Sequence, residues 1–278
     1  KYYNERAKIY ENEINDYENA LDDYSMAIKI DPKNSDYFKS RGDLYYSYFN
    51  EYLKSIADYF TVISLTSDED VGAWPLIYRD IGKIYRDDLG SDYYDKALES
   101  FDTGLKLGEN YYKAMEYMEM PLNMRYQLHF ERAEVYKKME KYNKALEDYN
   151  ISIDLIEKDI EEDKYSTDYN IYILSNYHFI KAQLFEFNLN NLDEALKSYN
   201  EAIKVISQIP ELDLNDFKGF AKFQYRASRA LFYFQKIYNY DKAFDEYSSL
   251  IDELEDSNNE LEDANLYDEI STQILVFP

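Results

Sequence analysis

His129 and His178 are the only histidines in a chain of 278 residues, so an imidazole base, proton shuttle or zinc ligand would have to be one of them. Each lies four residues before an alanine, Ala133 and Ala182, at a place where comparable stretches put Tyr or Phe, and packing accounts for both. There is no cysteine, which removes a thiolate nucleophile, a thiolate metal site and a disulfide framework. The 56 Asp and Glu residues make accidental carboxylate pairs inevitable, and none is singled out for acid–base work. The runs Asp68-Glu69-Asp70 and Glu161-Glu162-Asp163 lack the alternating spacing and central glycine of a calcium loop. No Ser/His/Asp grouping, zinc-binding HExxH or phosphate-cradling glycine loop is present. The reading is therefore a non-enzyme, with no catalytic residue, no metal site and no cofactor.

Charge narrows the partners. The 31 Lys and Arg leave a net charge of −25, which repels phosphate backbones and argues against nucleic acid. No run reaches the ~18 apolar residues of a membrane span. The chain opens on Lys rather than Met, compatible with a removed signal peptide, although a cytoplasmic location is favoured. Only 7 Gly and 5 Pro leave little punctuation for β-turns, and an all-α chain follows.

The elements that would position any site show themselves through small residues. A small or slim residue, an aromatic four places on, and a further small or slim residue recur as Ala20-Tyr24-Ala27, Ser55-Tyr59-Val62, Ala97-Phe101-Gly104, Ala145-Tyr149-Ser152, Ala195-Tyr199-Ala202 and Ala243-Tyr247-Leu250. Twelve to fifteen residues before each stands Ala7, Gly42, Gly82, Ala133, Ala182 or Ala230, followed three places later by Tyr10, Tyr45, Tyr85, Tyr136, Phe185 or Tyr233. Small residues let two helices approach while aromatics fill the grooves beside them, so each unit reads as a helical hairpin.

These residues resemble the tetratricopeptide repeat family, whose unit is a helix-turn-helix of 34 residues. The leading aromatic slot of that family holds Tyr3, Phe38, Tyr78, His129 and His178, and departs from it at Arg226. Arg132 through Tyr149 fits without insertion, and Asp31-Pro32 closes the first unit as the family does. The resemblance implies an α-solenoid of about six hairpins in a right-handed superhelix, a single domain over residues 1–278. Its units run roughly 1–34, 35–68, 73–108, 121–160, 168–208 and 216–255. Small residues of the second helices stand at 20, 55, 97, 145, 195 and 243, in steps of 35, 42, 48, 50 and 48, so the later hairpins are expected to be longer. Residues 260–275 show a helical period and would cap the last apolar face.

The resemblance also implies binding on the concave face, lined by the first helix of each hairpin. Its first four units carry Lys1, Lys8, Lys39, Arg79, Lys83, Arg86, Lys137 and Lys138 against five acids, a reversal of the overall sign. Phe130 lies among them, and the last two units offer Phe179, Gln183, Phe187, Leu231 and Phe234. Such a face suits a protein or peptide segment with an acidic and an apolar part. Arg79, Lys83 and Arg86 share one helix face and are expected to hold the acidic part; the competing reading makes these cations structural salt bridges. The expected function is a protein-interaction scaffold. The alternatives are a solute- or glycan-binding helical array and the regulatory module of a larger protein.

Overall fold

The computed structural model describes residues 1–66, 74–114, 121–162, 168–210 and 217–257. Among these residues there are twelve α-helices and no strand. They are α1 (Tyr2–Ile9), α2 (Tyr17–Ile30), α3 (Ser35–Leu44), α4 (Tyr52–Leu65), α5 (Trp74–Lys83) and α6 (Tyr94–Ala114), then α7 (Leu122–Lys138), α8 (Tyr142–Glu162), α9 (Asp168–Gln183), α10 (Leu192–Ile206), α11 (Phe217–Phe232) and α12 (Tyr240–Ser257). Asx side chains start several second helices: Asp16 accepts from the Asn19 amide at 3.2 Å, Asn191 from Glu194 at 3.2 Å and Asn239 from Lys242 at 3.1 Å. Each satisfies an amide that the helix itself leaves open.

Five first helices end in a π-helical turn: Tyr10–Ile14, Tyr45–Phe49, Ile84–Asp88, Leu184–Asn188 and Tyr233–Ile237. Each turn is followed by a positive-φ residue (Asn15, Asn50, Gly90, Asn190 or Tyr238) eight positions beyond the small residue of its helix, as from Ala7 to Asn15. In α7 the left-handed residue, Glu140, comes seven positions beyond Ala133, and no π turn forms. The extra residue widens the helix locally instead of lengthening the loop. Amides beyond the turns reach back to aromatic carbonyls, Asp16 to Tyr10 at 2.8 Å and Asn191 to Phe185 at 2.9 Å.

The chain divides into two compact units, Lys1–Lys141 and Tyr142–Pro278. In the first, α1 packs on α2, α3 on α4 and α5 on α6, and α2–α3, α4–α5 and α6–α7 join successive pairs. The core beneath them includes Ile56, Tyr59, Ile81, Phe101, Leu128 and Val135, with Ala7, Ala20, Tyr24 and Leu44 at its start. At the α5–α6 crossing, a Cβ on Gly82 would stand 2.5 Å from the Phe101 ring, so only glycine allows this approach. In the second unit α9 packs on α10 and α11 on α12, around Phe179, Ala182, Phe185, Ala195, Tyr199, Tyr225 and Phe232. Ala145, Ala182 and Ala195 are fully buried.

Lengthening falls on most of the later helices but not on α10, which at 15 residues is close to the early ones. α2 and α4 have 14 residues each, α6 and α8 have 21, and α12 has 18. α9 and α11 have 16 each before their π turns, against 8 in α1. The expected cap at 260–275, the run at 68–70 and Asp163 lie outside the described residues.

Candidate functional site

Of the cations expected to bind on the first helices of the first unit, those of α3, α5 with its π turn, and α7 are engaged. Arg79 donates to Asp80 at 2.9 and 3.1 Å and to the Gln127 side chain. Lys83 lies 3.9 Å from Glu131. Arg86 donates to both oxygens of Asp87 at 2.8 and 2.6 Å, and to the carboxylate and carbonyl of Glu131. Lys138 joins Asp87 at 3.1 Å, Lys39 binds both oxygens of Asp43 at 2.7 and 2.8 Å, and Lys137 binds Glu134 at 2.9 Å. Arg86 is only 7% exposed. Burial opposes its charge, but Asp87 and Glu131 outweigh burial and hold the guanidinium above its ordinary proton affinity. Arg86 therefore serves the unit's interior, a correction to its expected place on an open basic stretch. Lys8 is exposed, and Phe130 is half-buried.

The second unit presents a different face on α9 and α11. Phe179 is not open to it: the ring is 6% exposed, stacked on Tyr225 at 4.5 Å and tilted against Tyr199 at 5.8 Å. It is a core residue, because the neighbouring α11 covers it. Phe187 is 64% exposed, and Lys236 leans over its ring at 5.8 Å. Leu231 is exposed, Phe234 meets Tyr240 edge-on at 5.5 Å, and Gln183 is half-buried beside them in the repeat register.

Beneath both faces runs an arrangement that sequence reasoning missed. Buried tyrosines of the second helices donate their hydroxyls to carboxylates on the first helices: Tyr24 to Glu11 at 2.7 Å, Tyr59 to Asp43 at 2.7 Å and Tyr199 to Glu186 at 2.6 Å. Glu186 is 7% exposed. Burial raises its pKa, offset in part by the Tyr199 hydrogen bond and by Lys236. Also missed were ion pairs bridging the two helices of one hairpin: Arg6–Asp23, Arg41–Asp58 and Arg229–Glu246, at 2.6 to 2.7 Å. Their signal is an arginine just before the first small residue and an acid three places after the second, a constant separation of 17.

His178 is 8% exposed, with Glu157 4.0 Å away. Burial, reinforced by Lys181, pushes its pKa down to about 4, so it is neutral at physiological pH. His129 lies 3.4 Å from Arg132. Among the described residues no group of acids and histidines could hold a metal ion, and no helix is long and apolar enough to cross a membrane. An open depression of about 350 Å³ lies along α6, lined by Asp95, Leu98, Glu99, Asp102, Thr103 and Lys106. One helix alone lines it, so it does not enclose a ligand.

No family profile matches the chain, and no curated protein matches it. Solved structures do. The crystal structure of BtubC (BKLC) from P. vanneervenii superposes with a TM-score of 0.64 over 91% of this chain and 93% of that one, at 15% identity. The apo form of RapI superposes with a TM-score of 0.61 over 99% of this chain and 73% of that one, at 14% identity. The tetratricopeptide repeat domain of P58(IPK) aligns over 99% of this chain and 97% of that one at 15% identity, with a TM-score of only 0.31. The fold is an all-α arrangement of tetratricopeptide-like helical hairpins, as the crossing residues require.

Proposed function

We propose that this protein is a non-enzymatic interaction scaffold that binds an extended peptide segment along the first helices of its second unit. The observation that carries this is Phe187, a large apolar ring left 64% exposed on a first helix. Leu231 at the end of α11 and Phe234 in the π turn after it fall on the register places of Gln183 and Glu186, and Gln183 offers an amide to a peptide backbone. Aromatic anchors flanked by amides are what a peptide-binding groove needs, because rings give contact area at low entropic cost while amides set register. The first unit's basic stretch is assigned to structure, since Arg79, Lys83 and Arg86 each already have an acid or amide partner.

Selection of displayed random heptapeptides on the full chain tests the reading. Peptides retained by the protein should be released when Phe187 and Phe234 are both changed to Ala, with the helical circular dichroism unchanged. Retention equal to that of the unsubstituted protein overturns it.

A further inference from the structure

Glu186 lies one residue before Phe187, in the π turn that ends α9. Its side chain is almost entirely withdrawn from water, yet it is poorly compensated. Among the described residues its one side-chain hydrogen bond is the Tyr199 hydroxyl at 2.6 Å, to Oε2, and no ion pair reaches it. A buried carboxylate held by a single phenol is costly, because one neutral donor replaces several waters. The nearest cation electrostatically is Lys236, whose ammonium instead lies over the Phe187 ring at 5.8 Å. This unit thus carries a buried negative group held by one neutral donor, next in sequence to the exposed Phe187.

In the first unit the equivalent carboxylates are more open: Glu11 and Asp43 are both half-exposed, and Asp43 also holds Lys39. Of these three carboxylates, Glu186 is the buried one, with the Tyr199 hydroxyl as its side-chain hydrogen bond. The chain as a whole, at −25, draws cationic segments and repels anionic ones.

Resting on the scaffold reading above, we infer that the peptide recognised by the second unit carries a cationic group, a Lys or Arg side chain, next to an apolar residue. The cation pairs with Glu186, and the apolar residue packs on Phe187 near Leu231. Tyr199 holds the carboxylate in place from beneath, and Lys236 lies where it would turn away a second cation. An acidic partner is disfavoured: it would meet Glu186 with like charge and find Arg79, Lys83 and Arg86 of the first unit already paired.

The test uses the same displayed heptapeptides on the full chain, followed by synthesis of the enriched sequences and anisotropy titration. Glu186→Gln keeps an acceptor for Tyr199 and removes only the charge. The expected result is enrichment of Lys or Arg beside apolar residues. For those peptides Glu186→Gln should weaken binding about tenfold, the loss of one charge-assisted contact. Their Arg-to-Gln counterparts should be indifferent to the substitution. Neutral or acidic peptides that are lost with Phe187→Ala but unaffected by Glu186→Gln would overturn the inference and leave the scaffold reading standing. Peptides indifferent to both substitutions, or no enrichment above bare resin, would overturn both.

Discussion

The two units solve the same packing problem, and the residues at the positions expected to bind differ between them: charged and paired in the first, aromatic and open in the second. In the first, Arg79 pairs with Asp80, and a separate run of five charges links Lys83–Glu131–Arg86–Asp87–Lys138. In the second, Phe187 and Leu231 are open, and the buried Glu186 is held by the Tyr199 hydroxyl rather than by a cation. The contrast teaches that a sign count along one helix is not a measure of available charge. The acid that neutralises α5 comes from α7, at Glu131, two places before the small residue and outside the register that reads as inner face. A basic stripe in an acidic chain is open only if the next helix does not answer it.

The sharpest way to break this comparison is to remove that answer. Glu131→Ala leaves Arg86, 7% exposed, with Asp87 as its one acidic partner. Breaking a buried pair strands a charge and costs more than the pair was worth. The first unit should lose about 2–4 kcal/mol, read as faster amide exchange in α5 and α7. Unchanged exchange would mean that the network is ornamental and the cations are available after all.

The second effect is specific to the other unit and depends on pH. His178 has a pKa of about 4 in the fold against 6.5 for a free imidazole. The unfolded chain therefore takes up the proton first as pH falls, and stability contributed by the neutral ring is lost between pH 6.5 and 4, levelling off below. The full span is at most about 3 kcal/mol. Glu157, raised by burial and by Asp154, acts with the opposite sign: its protonation at low pH favours the fold. Phe occupies the equivalent slot in the second hairpin, at Phe38. His178→Phe should flatten the acid limb of the second unit's melting curve, and an unaltered slope would place the pH sensitivity elsewhere.

Much of this architecture was legible in the residues, and the failures have physical causes. Ala133 and Ala145 are 12 apart while Ala182 and Ala195 are 13 apart. That difference announces an added residue but not whether a loop or a helix absorbs it. The helix does, by a π turn, because Asn190 takes the left-handed backbone that closes it. Small residues mark crossings reliably, since Gly82 admits nothing larger against Phe101. The candidate site was less readable. Phe179 and Phe187 both fall on inner-register positions, yet Tyr225 of the next helix covers the first and leaves the second bare. Pairings between helices, such as Tyr199 with Glu186, follow from the crossing geometry rather than from either helix's own period.

The smallest stability effects separate the two faces most cleanly. Lys83 and Phe187 both leave much of their surface in water: the Lys83 side chain is 43% exposed and Phe187 is 64% exposed. Lys83–Glu131, at 3.9 Å, is a long pair open to solvent, and such pairs contribute about 0–1 kcal/mol. Phe187 rests partly on Lys236 and buries little of its ring, so its removal should stay within about 0.5 kcal/mol. Lys83→Ala and Phe187→Ala should thus melt almost as the unsubstituted protein does, and differ in peptide retention. Phe187→Ala should release the selected heptapeptides, because the anchor ring is gone, whereas Lys83→Ala should hold them unchanged at both low and high salt. Release by Lys83→Ala in a folded protein, relieved by adding salt, would return the binding role to the first unit and reduce the open aromatic face to a surface without a partner.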